Sequence, residues 1–299
     1  KHVISTNSCC AALHMCLGAC EVGPGDEVIT TPYTWGQTVA PIMQQNALPV
    51  FTDIDPKTYT LDPNKIEAQI RPQTKAILVC HIFGHPVDVD PIMKIAESYD
   101  LKVIEDCAQA IGASYKERKV GILGDMGAFS IGDGKNMVGG EGGMVTTNDD
   151  ELYERALLVG MHPGRSWREI KNPKLRRWID SVAIPTYRIH PLSCAIALIQ
   201  LKYLDEWNYW RNKNAEYFSK GLSELPGIEP AYEAPECFHV YHMYAPSYVA
   251  EELGGLDRAK YIEALRAEGV SIGAYVRTPI HLRPCLLYTS PSPRDRQKS

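Results

Sequence analysis

Apolar positions along this chain fall in short runs separated by stretches with helical spacing, the alternation that an α/β fold around a mainly parallel sheet requires. Val3-Ile4 opens a strand-like piece. Residues 7–20 read as a turn opening a helix, with Ala12, Leu13, Cys16 and Leu17 on one face. The pattern predicts strands over 27–30, 49–53, 76–80 and 101–104, and helices over 38–45 and 91–99. Residues 127–131 and 143–147 read as shorter strands. The run 76–80 is apolar throughout, as a strand covered on both faces should be, and Gly84 and Pro86 break the chain after it. Pro91 opens its helix at a tolerated first-turn position.

A helical pattern from Leu192 to about Leu225, carrying Trp207, Tyr209 and Trp210, predicts a long spine between two domains. Beyond it, 241–248 reads as a strand and 257–268 as a helix with Asp257 as N-cap. The expected organisation is a large sheet domain over 1–205 and a partial, smaller C-terminal α/β domain over 206–284. From Cys285 the periodicity stops. The Ser/Pro-rich residues 285–299 resemble a translated sequencing adapter and are expected to be a non-native, disordered tail. The chain enters its first strand without a Met, so the start of the first domain is expected to be missing as well.

With 44% hydrophobic and 22% charged residues, the composition is that of a water-soluble globular protein with a substantial core. The net charge of −5 offers no basic signature for nucleic acid or an anionic membrane. No apolar run reaches the roughly 18 residues that a membrane span requires. Nine cysteines, an odd number with no secretory signal before them, point to reduced thiols and a cytoplasmic protein. Cys16 and Cys20 lack a second Cys/His pair at metal spacing and read as small core residues; no metal site is predicted.

Four features carry candidate chemistry. The strand at 101–104 ends on Glu105-Asp106, so the Asp106 carboxylate can emerge at the carboxyl edge of the sheet. Lys135 ends the glycine-containing turn Ser130-Ile131-Gly132-Asp133-Gly134-Lys135. Asn7-Ser8-Cys9-Cys10 opens a helix, where free amides and the helix dipole favour a phosphate dianion. Trp35 lies on the loop after a strand. A lone loop lysine is ordinarily a solvated charge, and a lone strand-end aspartate is ordinarily a turn residue. Together and in this order, the four match the requirements of pyridoxal 5'-phosphate (PLP): an imine-forming lysine, a carboxylate for the ring nitrogen, a phosphate cup and an aromatic face.

Longer motifs then carry a resemblance. Gly25-Asp26-Glu27-Val28-Ile29 with Pro32-Tyr33-Thr34, and Pro49-Val50-Phe51-Thr52-Asp53-Ile54-Asp55, resemble segments of the DegT/StrS family of PLP-dependent sugar aminotransferases. So do His81-Ile82-Phe83-Gly84, Glu105-Asp106-Cys107-Ala108-Gln109-Ala110, Phe129-Ser130 through Lys135 to Gly140-Glu141-Gly142-Gly143, Tyr187-Arg188 and Pro279-Ile280-His281. The resemblance spans about residues 5–284 and implies an aspartate-aminotransferase-like fold.

The resemblance also implies roles. Lys135 forms the internal aldimine and shuttles the proton. Asp106 pairs with the ring nitrogen, Gln109 sits near the phenolic oxygen, and Trp35 stacks on the ring. Ser8, Ser130 and the amides of Cys9 and Cys10 hold the phosphate, with Thr186 reaching toward it. Tyr187, Arg188 and His281 line the substrate side. The implied reaction moves an amino group from glutamate or glutamine to a keto group of a nucleotide-sugar or cyclitol, as in polysaccharide or antibiotic sugar biosynthesis. The implied assembly is a homodimer with shared active sites. Lys135 favours transamination over dehydration, because dehydrating members carry His there. The alternative is a PLP-binding regulatory or non-transaminating member. The chain departs from the family at Cys9-Cys10, usually Gly-Thr; at Thr186, often Asn; at Ile111, commonly His; and at Gly132, commonly aromatic or His.

Overall fold

The computed structural model describes residues 1–181, 185–284 and 286. Residues 285 and 287–299, nearly all of the expected tail, lie outside the described residues.

The chain begins with β1 (His2–Thr6), α1 (Cys9–Ala19), β2 (Glu27–Thr30), α2 (Gly36–Gln44), β3 (Leu48–Phe51) and β4 (Thr74–Cys80). It continues through α3 (Val89–Ser98), β5 (Lys102–Asp106), the short β6 (Ser114–Tyr115) and β7 (Arg118–Lys119), β8 (Met126–Ser130) and β9 (Gly143–Thr147). Helices α4 (Asp150–Gly160), α5 (Pro163–Glu169), α6 (Pro173–Arg176), α7 (Pro191–Leu201) and α8 (Leu204–Leu222) follow. Last come β10 (Ile228–Glu229), β11 (Cys237–Phe238), β12 (Ser247–Tyr248) and α9 (Arg258–Ala267).

Seven strands form one sheet in the order β1-β9-β8-β5-β4-β2-β3. The pairs from β3 through β8 are all parallel. Strand β9 runs antiparallel to both of its neighbours. Period-two alternation divides the core between the two faces. Val28, Ala76, Leu78 and Ile104 face one cluster with Ala12, Met15 and Leu17 of α1. Ile29, Ile77, Val79 and Val103 face another with Val89 and Ile92 of α3. Each fully buried aliphatic side chain here contributes about 1.5–3 kcal/mol, which makes the central strands the anchor of the fold.

Strand β5 ends on Asp106, as the sequence pattern places it, and Asp106 pairs with Cys80 and Ala128. The ladder can continue because the buried Glu105 is fully partnered: it accepts the amides of Gly121, Leu123 and Gly124 and contacts His81 Nε2. Two other expectations about elements, the helical spine and the strand over 241–248, are revised. The spine over 192–225 is two helices. The amides of Lys202 and Tyr203 bond back three residues, to Ile199 and Gln200, which tightens the chain and ends α7. The strand expected over 241–248 is reduced to Ser247–Tyr248, and at its expected start Tyr241 adopts a positive φ of 42° that a strand cannot hold. Among the described residues, no helix is long and apolar enough to cross a membrane.

Candidate active site at the carboxyl edge of the sheet

The side chains of interest follow the carboxyl ends of the parallel strands, where an open α/β sheet offers its crevice. Ser8 lies just past β1, caps α1, and accepts the Ala11 amide at 3.1 Å. The amides of Cys9 and Cys10, the first two of α1, have no intrahelical acceptor and point out of the helix start. Strand β9 passes flush against this turn: a Cβ on Gly143 would lie 2.5 Å from the Ser8 backbone. Gly143 pairs with Thr6 on one side and Ser130 on the other. The helix start and the Ser130 hydroxyl therefore sit two strands apart, about 10 Å by ordinary strand spacing.

Asp106 ends β5 at 3% exposure. Its Oδ2 accepts the Thr38 hydroxyl at 2.7 Å, and its Oδ1 accepts the Ala108 amide at 3.0 Å. The Cys9 thiol lies 3.9 Å from Oδ1. Burial, reinforced by the Asp106 charge and opposed by Lys135, pushes the Cys9 thiol well above its ordinary range, so it remains S–H. The thiol of Cys9, expected only to lend its amide, thus faces the carboxylate. Thr34 bridges Thr38 and the Cys80 thiol at 2.9 and 3.2 Å.

Lys135 is half-buried on the loop after β8. Its charge acts on Cys9 and Cys80, the same two thiols that Asp106 acts on. Ser130 Oγ accepts the Gly132 amide at 3.3 Å. Gln109 is buried, with Oε1 taking the Phe83 amide at 2.7 Å and Nε2 donating to the Tyr275 hydroxyl at 3.0 Å. Trp35, half exposed, stacks on the Tyr275 ring with centroids 5.7 Å apart. Burial, followed by Cys80 and Asp106, raises the Tyr275 phenol to about 12.

The remaining predicted residues are dispersed. Tyr187 contacts the start of the chain, with its carbonyl accepting the Asn7 amide and its hydroxyl 3.0 Å from His14 Nδ1. Thr186 and Arg188 are exposed. Arg188 lines a cavity of about 460 Å³ with Ser5, His162, Arg165 and Arg168. His281 is exposed, with its ring 6.2 Å from Phe51. Sequence reasoning missed Thr38, Tyr275, Asn136 and His242. Only Thr38 left a local trace, as a hydroxyl four residues after Thr34 at the start of a helix.

The buried trio His81, Glu105 and Cys107 has ligand atoms close enough to invite a metal reading. The Val87 amide donates to His81 Nδ1, so Nε2 carries the hydrogen and donates to Glu105. The imidazole–carboxylate pair is satisfied by the chain's own hydrogen bonds.

The residues fit pyridoxal phosphate by the chemistry of the donor set. There is an anchored buried carboxylate, a helix start with unpaired amides, a serine hydroxyl two strands away across β9, and a partly buried lysine on the loop after that serine. A seven-stranded sheet presenting this set at its carboxyl edge defines a pyridoxal-phosphate enzyme of the aspartate-aminotransferase fold. The DegT/DnrJ/EryC1/StrS aminotransferase family profile matches residues 1–298, and the chain belongs to that family. It is a pyridoxal-phosphate-dependent aminotransferase.

GDP-perosamine synthase from Caulobacter vibrioides is 37% identical over 288 residues, 95% of this chain and 74% of that protein. L-glutamine:2-deoxy-scyllo-inosose aminotransferase from Streptomyces kanamyceticus is 36% identical over 299 residues, 99% of this chain and 69% of that protein. The crystal structure of DesV from S. venezuelae in complex with a ketimine intermediate superposes with a TM-score of 0.85 at 30% identity, covering 98% of this chain and 75% of that one.

Proposed function

We propose that this aminotransferase takes the amino group of glutamate or glutamine and delivers it to a keto group on a nucleotide-linked sugar, with a cyclitol as the second acceptor class. The observation that carries the residue assignment is the buried Asp106 carboxylate at the carboxyl end of β5, held by the Thr38 hydroxyl and the Ala108 amide. Bound pyridoxal phosphate supplies an aldehyde for the incoming amine and a protonated ring that withdraws electrons from the donor's α-carbon.

In this reading Asp106 holds the proton on the ring nitrogen, and Thr38 and the Ala108 amide keep the carboxylate in place. With the cofactor bound, Lys135 Nζ would be the base that takes the proton from the donor's α-carbon and the acid that returns it. The amides of Cys9 and Cys10, with Ser8 and Ser130, hold the phosphate. Trp35 covers the ring, and Gln109 meets its phenolic oxygen. Of the substrate-side candidates, Arg188 lines the cavity with Arg165 and Arg168, whereas Tyr187 packs on His14 and His281 on Phe51. The three arginines and His162 around the cavity suit the phosphates of a nucleotide-linked acceptor better than an uncharged cyclitol.

The partner is a second copy of the chain. No residue of α7 is buried, and Leu192, Ile196, Leu198, Ile199 and Leu201 are exposed on it. An apolar helix with no cover is best explained by an interface. Thr186 lies five residues before this helix, which suits a residue that reaches into the neighbouring site. The free state of the eight described cysteines supports a cytoplasmic setting.

The deciding experiment adds glutamate or glutamine to the cofactor-loaded full chain. The visible band of the lysine-linked cofactor should give way to the pyridoxamine spectrum, and Lys135→Ala should lack the starting band. A loaded protein that neither donor converts would make this a non-transaminating member of the family.

A further inference from the structure

Asn136, directly after the proposed catalytic lysine, is buried and fully engaged. Its Nδ2 donates to Asn208 Oδ1 of α8 at 3.1 Å and to the Val240 carbonyl at 2.9 Å. Both amide hydrogens are then committed, so Oδ1 can only accept. His242 Nδ1 lies 3.3 Å from that oxygen. The hydrogen of His242 must therefore sit on Nδ1, which leaves Nε2 bare in the neutral ring.

The surroundings hold this network rigidly. Asn208 Nδ2 donates to the Ile111 carbonyl, and Asn212 Nδ2 donates to the carbonyls of Asn208 and His239. A Cβ on Gly112 would fall 2.5 Å from Asn208 Nδ2, so α8 lies flush against the turn after β5. The Val138 amide donates to Gln200 Oε1 of α7 at 2.6 Å. On its carboxyl side, the Lys135 loop is thus tied to α7, α8 and residues 239–242. Burial, then the charges of Lys135 and of Arg211 on α8, hold His242 down at about 4, so it is neutral across the physiological range.

We propose that His242 is a positioning residue for Lys135: its Nδ1–H locks the Asn136 amide, and through it the backbone from which the lysine reaches the cofactor. The proposal rests on the reading of Lys135 as the cofactor-linked lysine. It links that lysine to the polypeptide more than 100 residues downstream.

The test uses the full chain and two readouts: the dissociation constant of pyridoxal phosphate, followed by the lysine-linked absorbance, and the melting temperature of the cofactor-free protein. His242→Leu cannot donate to Asn136 and should weaken cofactor binding about five- to tenfold, the scale of one lost hydrogen bond. His242→Gln retains an N–H donor and should recover most of that loss. Asn136→Ala deletes the same contact together with the bonds to Asn208 and Val240, so it should weaken binding at least as much as His242→Leu, and the double variant should lose little beyond Asn136→Ala because the shared contact is counted once. Two results would overturn the proposal: wild-type affinity in His242→Leu, or a Gln variant as weak as Leu while melting like the wild type. A wild-type band that persists in Lys135→Ala would overturn the lysine assignment and this proposal together. A lysine-dependent band indifferent to His242→Leu would overturn this proposal alone.

Discussion

Thr38 donates its hydroxyl to the Asp106 carboxylate over 2.7 Å, joining the first turn of α2 to the end of β5 across 68 residues of sequence. Both side chains are buried, and the Ala108 amide holds the other carboxylate oxygen. Asp106 is therefore aimed by the fold, independently of any ligand.

Removing that aim should cost less than removing the carboxylate. Thr38→Val keeps the shape and deletes one hydrogen bond to a charged acceptor, worth about 1.5–3 kcal/mol. The amine half-reaction should slow about tenfold, with the cofactor still bound. Asp106→Ala should slow it about 10²–10⁴-fold, the scale of a lost proton-holding group. Single-turnover kinetics measure both, and wild-type rates in Asp106→Ala would remove the carboxylate from the ring nitrogen.

Cys10 stands in the first turn of α1, where the family usually carries a hydroxyl. Cys10→Thr adds a donor within reach of the proposed phosphate position. Cofactor affinity should tighten about tenfold, the value of a charge-assisted hydrogen bond. Equilibrium titration decides it, and unchanged or weaker binding would place the phosphate elsewhere.

Three histidines around residues 239–242 make stability depend on acid. Burial first, and neighbouring cations or imidazoles second, lower His85 and His242 to about 4 and His239 well below its usual value. In the unfolded chain they titrate near 6.5. Between about pH 6.5 and 4 the unfolded state binds more protons, so stability falls as pH falls through that window and does not change on this account above it. Denaturant midpoints at pH 7 and pH 4.5 should differ. The difference should shrink in His85→Gln, and a histidine-independent decline would rule out this origin.

The exposed apolar face of α7 predicts that Leu198→Glu with Ile199→Glu yields a monomer by sedimentation. Catalysis should fall with it, while the cofactor-free fold melts normally. A dimer that survives both charges would move the interface off this helix.

Much of the sheet was legible because its strands are apolar runs punctuated by Gly and Pro, and Asp106 stands at the end of such a run. The break between α7 and α8 was hidden, because Lys202 and Tyr203 are acceptable helix residues and only backbone bonds to residues three back reveal the tightening. Strand 241–248 failed for a related reason: the left-handed φ of Tyr241 comes from tertiary packing, with Glu233 and the Arg211 guanidinium bonded to that residue. Tyr275 and His242 were out of reach because their partners, Gln109 and Asn136, lie 166 and 106 residues away. Local pattern carries no trace of contacts at that range.

Gly143 is the shared neighbour of Thr6 and Ser130 in the sheet, and nothing larger than hydrogen fits against the Ser8 backbone there. The sheet thus works as a gauge block, its jaw opening set by backbone ladders on either side of β9. Any side chain at position 143 would push β9 off the start of α1, so the backbone ladders alone fix how far Ser8 stands from Ser130.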